Sequence, residues 1–280
     1  MNKLYILLPV YDRVHLTLKF ITALKPQTYK NIQLILIDDG SADGTADQVK
    51  KEMPQAVILQ GKGDWWWAGS LQQGYHWIRE NAEADSYIAI FNDDLVFDAD
   101  LMEKGVGLLQ SNSNSFLLAA AYDQDDHTKL EDCGVIYNFK EDTFVSCDLG
   151  RLNEVNCLST RGLFMHSADF LRTGGFRPHL LPHYYSDYEF TIRAARKHGI
   201  QLKCVPELKV YMNTKSTGTA EITFNSLKEF WGKAFSKRYK TNSLYTMRYY
   251  LYSFPFPYNL KHWYRTFRQL LLTCLKLMFA

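Results

Sequence analysis

The sequence predicts an α/β fold with a mostly parallel central sheet covered by helices on both faces. Three observations carry that prediction. Short runs rich in Leu, Ile and Val alternate with amphipathic segments through the first hundred residues. Those runs are apolar throughout instead of alternating, as strands buried on both faces are. Polar clusters follow the runs, at the strand ends where open α/β sheets bind ligands.

In order, "LYILLPV" (Leu4 to Val10) reads as a strand and "HLTLKFITAL" (His15 to Leu24) as a helix stopped by Pro26. "IQLILIDD" (Ile32 to Asp39) is a second strand, with a helix from about Thr45 to Glu52. "AVILQ" (Ala56 to Gln60) is a third, leading through three consecutive tryptophans to a helix from about Ser70 to Asn81. "YIAIFNDD" (Tyr87 to Asp94) is the fourth, followed by a helix from about Asp100 to Gln110. From Phe116 to His166 the strands are shorter and more mixed, an α+β second half. A helix then runs from Ser186 to a Gly199 C-cap.

With 46% apolar and 15% aromatic residues, the 280-residue chain has ample core-forming material, which excludes disorder. Net charge is only +2, but residues 226–280 carry ten basic side chains against one acid, Glu229. That tail is +9 and the rest −7, a split that points to an anionic surface as partner. Five cysteines with no C-x-x-C pair argue against a disulfide framework or zinc site and fit a reducing compartment. With no signal-peptide pattern and no run long enough to span a bilayer, a cytoplasmic chain, peripheral on a membrane, is expected.

Adjacent carboxylates at a buried strand end, as in Asn92-Asp93-Asp94, repel unless a cation offsets them. The residues alone read either as a solvated turn or as a Mg²⁺ or Mn²⁺ site completed by phosphate oxygens. "IDDGSADGT" is turn and capping chemistry, or else presents Asp38 and Asp39 as acceptors for a nucleobase or ribose. A calcium loop is rejected, because Lys50 stands where a bidentate Glu is required. In "SDYEFTIR", Ser186 and Glu189 form a capping box and Glu189 pairs with Arg193, leaving Asp187 available as a general base. His179 and His183 flank Pro182 and read as loop histidines near the substrate. P-loop, dinucleotide-binding and α/β-hydrolase motifs are missing.

Taken in order, "LPVYDR", "LIDDGSADGT", "GDWWWAGSLQQGY", "FNDDL", "RGLFMHSADFLRTGGF" and "HYYSDYEFTIRAARKHG" resemble the inverting glycosyltransferases of family 2. The similarity covers roughly Leu4 to Gly199 and is greatest to bacterial surface-polysaccharide and rhamnosyltransferase-like members. It implies a GT-A fold: a Rossmann-like sheet with helices on both faces. The change to basic, aromatic, helix-forming sequence after about Ala220 divides the chain into a catalytic domain over 1–220 and a helical extension over 221–280. The resemblance further implies a UDP- or dTDP-sugar donor, a glycan or lipid-linked acceptor and a divalent metal.

By the same resemblance, Pro9, Val10 and Tyr11 line the base, Asp39 accepts from it and Asp38 supports the ribose. Asn92 and Asp93 border the donor, Asp94 holds the metal and Asp187 is the base. Glu189 is its companion, and from the residues themselves Arg193, paired with Glu189, and the loop residue His183 are expected to contact the acceptor or support the site. Asn213 stands where relatives often carry a metal-ligating histidine, and Ser186 and Asn92 replace common acids. The rivals are a nucleotidyltransferase, for which the Gly-rich basic loop is missing, and an inactive sugar-nucleotide-binding relative.

The tail mixes Lys and Arg with Trp, Tyr, Phe and Leu, the composition of an interfacial helix on anionic lipid. Its other readings are a helical pair packed on the body or a dimer interface; the acidic motifs elsewhere argue against nucleic acid. Trp65, Trp66 and Trp67 cannot all face one way. One is expected to plug the core and another, with Trp66 and Trp67 the candidates, to face the cleft beside a sugar ring. Gly63 and Gly69 are expected to turn the backbone around them.

Overall fold

The computed structural model describes residues 2–213, 227–237 and 242–278. Strands β1 (Leu4–Val10), β2 (Ile32–Asp38), β3 (Val57–Gln60) and β4 (Tyr87–Ile90) are parallel neighbours. After them come β5 (Leu95–Phe97), β6 (Ser115–Asp123), β7 (Leu130–Asp132), β8 (Val135–Asn138), β9 (Thr143–Ser146), β10 (Leu163–His166) and β11 (Gln201–Met212). The main sheet runs β3-β2-β1-β4-β10-β6-β11-β5, with β7 paired to β6. Strand β10 is antiparallel to both neighbours, and β8 and β9 form a separate hairpin.

Every residue of β1 is buried, and its side chains alternate between two cores. Leu4, Ile6, Leu8 and Val10 face one layer while Tyr5 and Leu7 face the other; Leu34 and Leu36 against Ile35 and Ile37 repeat this in β2. The first layer is closed by α1 (Val14–Leu24), α2 (Thr45–Glu52) and α4 (Leu101–Ser111), through Phe20, Val49 and Met102. The second is closed by α3 (Trp66–Asn81), α5 (Ser167–Thr173) and α6 (Ser186–His198), through Leu71, Phe170 and Phe190. A fully buried Leu or Ile contributes about 1.5–3 kcal/mol, against about 0–1 kcal/mol for an exposed ion pair. The doubly covered sheet therefore fixes where the loops at its ends lie.

A third apolar cluster joins the hairpin to the chain's end. Val135 and Tyr137 of β8 and Ile192 of α6 pack with Tyr249, Tyr250 and Phe254 at the end of α8 (Ser243–Ser253). Asp142 in the hairpin turn accepts from Tyr137 at 2.7 Å, from Tyr250 at 2.6 Å, and from Arg265. Before α8 lies α7 (Leu227–Ala234), and after it α9 (Tyr258–Met278). The expected division at residue 220 lies outside the described residues. Helix α8 is packed on the body, so the packed-pair reading of the tail holds for that part. Only His262 of α9 is buried.

The helix expected from Ser70 begins four residues earlier, at Trp66, so two of the tryptophans are helical. Gly69 is inside that helix and turns nothing. A Cβ there would come within 3.1 Å of Trp65 Cβ, so its role is close packing.

Candidate active site

The carboxyl ends of β1, β2 and β4 open onto a cleft of about 450 Å³. From β1 the chain order proceeds outward to β2 on one side and to β4 on the other, the reversal at which open α/β sheets bind ligands. Pro9, Val10 and Tyr11 come from the end of β1, with Arg13 just beyond. Asp39 follows β2, and Gly63, Trp66, Trp67 and Ser70 follow β3. Asn92 and Asp93 follow β4, and His183 lines the cleft beside Trp66. Nine sequence-predicted residues thus meet in one cleft.

Asp39 organises the aromatic wall. Its Oδ1 accepts from the backbone N–H of Gly63 at 3.1 Å and of Trp65 at 3.2 Å, and its Oδ2 from that of Trp66 at 2.9 Å. Gly63 has φ +86°, and at Gly61 a Cβ would lie 2.7 Å from Asp39 Oδ1, so the loop wraps the carboxylate only with glycine there. Trp65 and Trp67 pack against the core, while Trp66 lies 5.6 Å from the His183 ring. Trp67 serves both core and cleft. Burial lowers the His183 pKa, which keeps its imidazole neutral at neutral pH.

Asp38 is fully buried and does not line the cleft. Its Oδ1 accepts from Ser41 N at 2.8 Å, so it shapes the loop after β2 instead of bordering a ribose directly.

The acidic strand end carries a counter-ion that the sequence reading passed over. Arg13 Nη1 is 3.2 Å from Asp93 Oδ1, and Nη2 is 3.1 Å from Asp94 Oδ2. Burial raises the Asp93 pKa to about 6, opposed by Arg13 and assisted by Asp94. Asp94 borders the cleft only through Arg13. A hard divalent cation fits this donor set, because two carboxylates already turn oxygens toward a common positive charge. Asn92 Oδ1 is a further buried oxygen, without a hydrogen bond among the described residues. No group of three or more His, Cys, Asp or Glu suited to a metal occurs among them, so phosphate or water oxygens would complete the shell. Asn213 directly follows β11, and residues 214–226 lie outside the described part.

Helix α6 begins three residues beyond His183. Asp187 is half-buried in its first turn, where the helix dipole favours an acid. Burial nevertheless raises its pKa, against the opposing effects of the Tyr188 N–H and the Arg161 charge. Asp187 does not itself line the cleft.

The expected capping box is not formed. The N-cap is Tyr185 at φ +65°, and Ser186 Oγ donates instead to His183 O at 2.6 Å. The i, i+4 pair is present, with Arg193 Nε 2.7 Å from Glu189 Oε1. It is sealed inside, at about 1% exposure for each residue, so neither side chain reaches an acceptor. Arg193 also donates to Thr173 O and, at 2.7 Å, to Gly175 O, which ties α6 to the turn after α5. The pair is structural.

A switch-point cleft with an aromatic wall and paired carboxylates lies on a sheet of the GT-A type. Residues 5–143 match the model of glycosyl transferase family 2, and this stretch is similar to that family. The fold is similar to that of a mannosyltransferase, PcManGT from Pyrobaculum calidifontis, solved with GDP-Man and Mn²⁺. The TM-score is 0.58 at 14% identity, over 77% of this chain and 58% of that one. It is also similar to TarS from S. aureus, with TM-score 0.56 at 12% identity over 99% of this chain and 44% of that one. For residues 1–349 of TarS the TM-score is 0.58 at 12% identity, over 98% of this chain and 70% of that one. At such identities the likeness is one of fold. The chain spans about half the length of the first two. No curated protein sequence matches it.

Proposed function

We propose that this protein is an inverting, metal-dependent glycosyltransferase moving a sugar from a nucleoside-diphosphate sugar to a hydroxyl of a glycan on a lipid carrier. The observation that carries this reading is the meeting of Tyr11, Asp39, Trp66, Trp67 and Asp93 in one switch-point cleft, in a chain whose residues 5–143 match the family 2 model. Tyr11 and the loop held by Asp39 bind and orient the nucleotide. Trp66 and Trp67 offer aromatic faces to the sugar.

The acceptor oxygen attacks the anomeric carbon as the bond to the diphosphate oxygen breaks, and Asp187 takes the hydroxyl proton. A single displacement inverts the anomeric configuration. The raised pKa of Asp187 strengthens it as a base. A divalent cation, held by Asp94 with Asp93, would supply positive charge against the departing diphosphate.

The similarity implies a UDP- or dTDP-sugar, whereas the mannosyltransferase of similar fold was solved with GDP-Man, so all three bases belong in the test. Expected results are that Asp94→Ala weakens metal-supported donor binding, while Asp187→Asn retains binding and abolishes transfer. Transfer by Asp187→Asn at the wild-type rate would remove the base assignment.

Helix α9 supports a peripheral position on the inner face of a cytoplasmic membrane and a role in surface-polysaccharide synthesis. Among the described residues no helix is long and apolar enough to cross a bilayer. Leu260, Tyr264, Phe267, Leu271, Leu275 and Met278 are exposed at three- and four-residue spacing, a single stripe along the helix. Arg268 and Lys276 accompany it, suiting an anionic lipid surface, while Lys261 and Arg265 are engaged by Lys140 O and Asp142.

A further inference from the structure

Arg13 spans two carboxylates at once. Its two terminal nitrogens address Asp93 Oδ1 at 3.2 Å and Asp94 Oδ2 at 3.1 Å, so one planar fork neutralises both acids. The acids are enclosed, with 3% and 9% side-chain exposure, while Arg13 retains 37% and lines the cleft. Thr17 Oγ1 donates to Asp93 Oδ2 at 3.2 Å, leaving Oδ1 to the guanidinium.

The backbone around Arg13 is clamped by the loop after β2. Ser41 Oγ accepts from Asp12 N at 2.9 Å, Asp12 Oδ1 from Ala42 N at 2.7 Å, and Asp43 Oδ2 from Val14 N at 2.8 Å. The root of the side chain is thereby fixed, while its long stem and charged head stand at the edge of the cleft. A guanidinium and a divalent cation cannot both occupy the same carboxylate oxygens. An acidic pair this enclosed is also costly with neither.

We infer that Arg13 is an exchangeable counter-ion: it neutralises Asp93 and Asp94 before the donor arrives, and passes to the donor's diphosphate as a divalent cation takes the acidic pair. The inference rests on the donor-site reading above. A cation arriving alone must break two charge-assisted contacts and strand the guanidinium. A cation arriving with a diphosphate leaves the guanidinium facing two phosphate groups. Arg13 thus couples the two ligands, each raising the affinity for the other by the same factor. No bond is made or broken in the exchange; one positive charge moves across the cleft.

The test is a titration with Mn²⁺ alone, with free ion read by electron paramagnetic resonance. It uses the full chain as wild type, Arg13→Gln and Arg13→Lys, each with and without UDP, dTDP or GDP. Wild type is expected to bind Mn²⁺ weakly, and about tenfold more tightly when the matching nucleotide is present. Arg13→Gln is expected to bind Mn²⁺ alone about tenfold more tightly than wild type, with the nucleotide effect reduced toward none. Arg13→Lys falls between them, because an ammonium cannot fork across both acids, and it carries the test if the glutamine variant fails to fold. A merely structural arginine would lower the melting temperature without raising affinity for Mn²⁺.

Equal Mn²⁺ affinity in wild type and the variants overturns the exchange. Binding of Mn²⁺ by none of them overturns it too, making Arg13 a permanent counter-ion. Failure of the donor-site reading looks different: wild type then binds no sugar nucleotide, with or without cation.

Discussion

Trp66 donates its backbone N–H to Asp39 Oδ2 at 2.9 Å while its own φ is +57°. A left-handed conformation costs a bulky residue roughly 1–2 kcal/mol. It persists here because the same carboxylate also holds the N–H groups of Gly63 and Trp65. The aromatic wall of the cleft is therefore set by one buried acid on a neighbouring strand end.

Replacing that acid tests the dependence. Asp39→Ala leaves three N–H groups without their acceptor, an expected loss of about 1–3 kcal/mol per group left unsatisfied by water. Denaturant unfolding should show the loss, with a shift in tryptophan emission and at least about tenfold weaker nucleotide binding. Asp39→Asn keeps one acceptor oxygen and should fall between. Unchanged emission in Asp39→Ala would separate the loop from the carboxylate.

Asp187 carries a pH signature. Its folded-state pKa lies above the ordinary 3.8, so the folded chain binds this proton more tightly than the unfolded one. The ionised carboxylate thus destabilises the fold above that raised pKa, and the penalty vanishes below the unfolded value. Asp187→Asn should melt higher than wild type at neutral pH and lose that advantage on acidification. Its transfer rate should fall by about 10²–10⁴. In wild type, transfer should decline as pH drops through the raised pKa. Melting curves and pH–rate profiles check both halves.

Glu189 and Arg193 predict the opposite pattern. Arg193→Met leaves Glu189 buried with only the more distant Arg177, 3.5 Å away. Breaking such a pair costs about 3–5 kcal/mol. Stability measured in urea should fall by that order, while molecules still folded bind the donor with unchanged affinity. A selective loss of affinity at full stability would return the pair to the substrate site.

On α9, Leu271 and Leu275 are 48% and 49% exposed, so charge there does not disturb the core. The double change Leu271→Glu, Leu275→Glu should leave the melting temperature within about 1 °C, as surface substitutions do. It should also abolish flotation with vesicles containing anionic lipid. Equal flotation of wild type and variant would remove the membrane reading.

Strand positions were readable because β1, β2 and β4 are continuous apolar runs, and doubly buried strands tolerate little else. The cleft was readable because Pro9, Asp39, Asn92 and Asp93 fall at the ends of those runs. What escaped depends on contacts distant in sequence. Nothing local in "YDRVH" says that Arg13 meets acids eighty residues later. The cue available was electrostatic, since an enclosed acidic pair demands a positive partner. Ser186 followed by Glu189 spelled a cap, yet the buried Arg193 claimed Glu189, because an unpaired buried guanidinium costs far more than a missing cap. The early start of α3 was hidden because its first residue is held by Asp39 through a left-handed turn. The tail's division of labour, α8 packed and α9 anchored near its start through His262 and Arg265 with an exposed apolar stripe beyond, turns on contacts that composition does not contain.

The central claim is that the cleft at the ends of β1, β2 and β4 binds a nucleoside-diphosphate sugar through Asp94-dependent metal binding. Calorimetric titration of UDP-, dTDP- and GDP-sugars, with Mg²⁺ or Mn²⁺ and after chelation, tests it most directly in wild type and Asp94→Ala. The account predicts binding by one nucleotide class in wild type with cation, weakened about tenfold or more by chelation or by Asp94→Ala. Binding of no sugar nucleotide by wild type, or equal binding by Asp94→Ala, would contradict it.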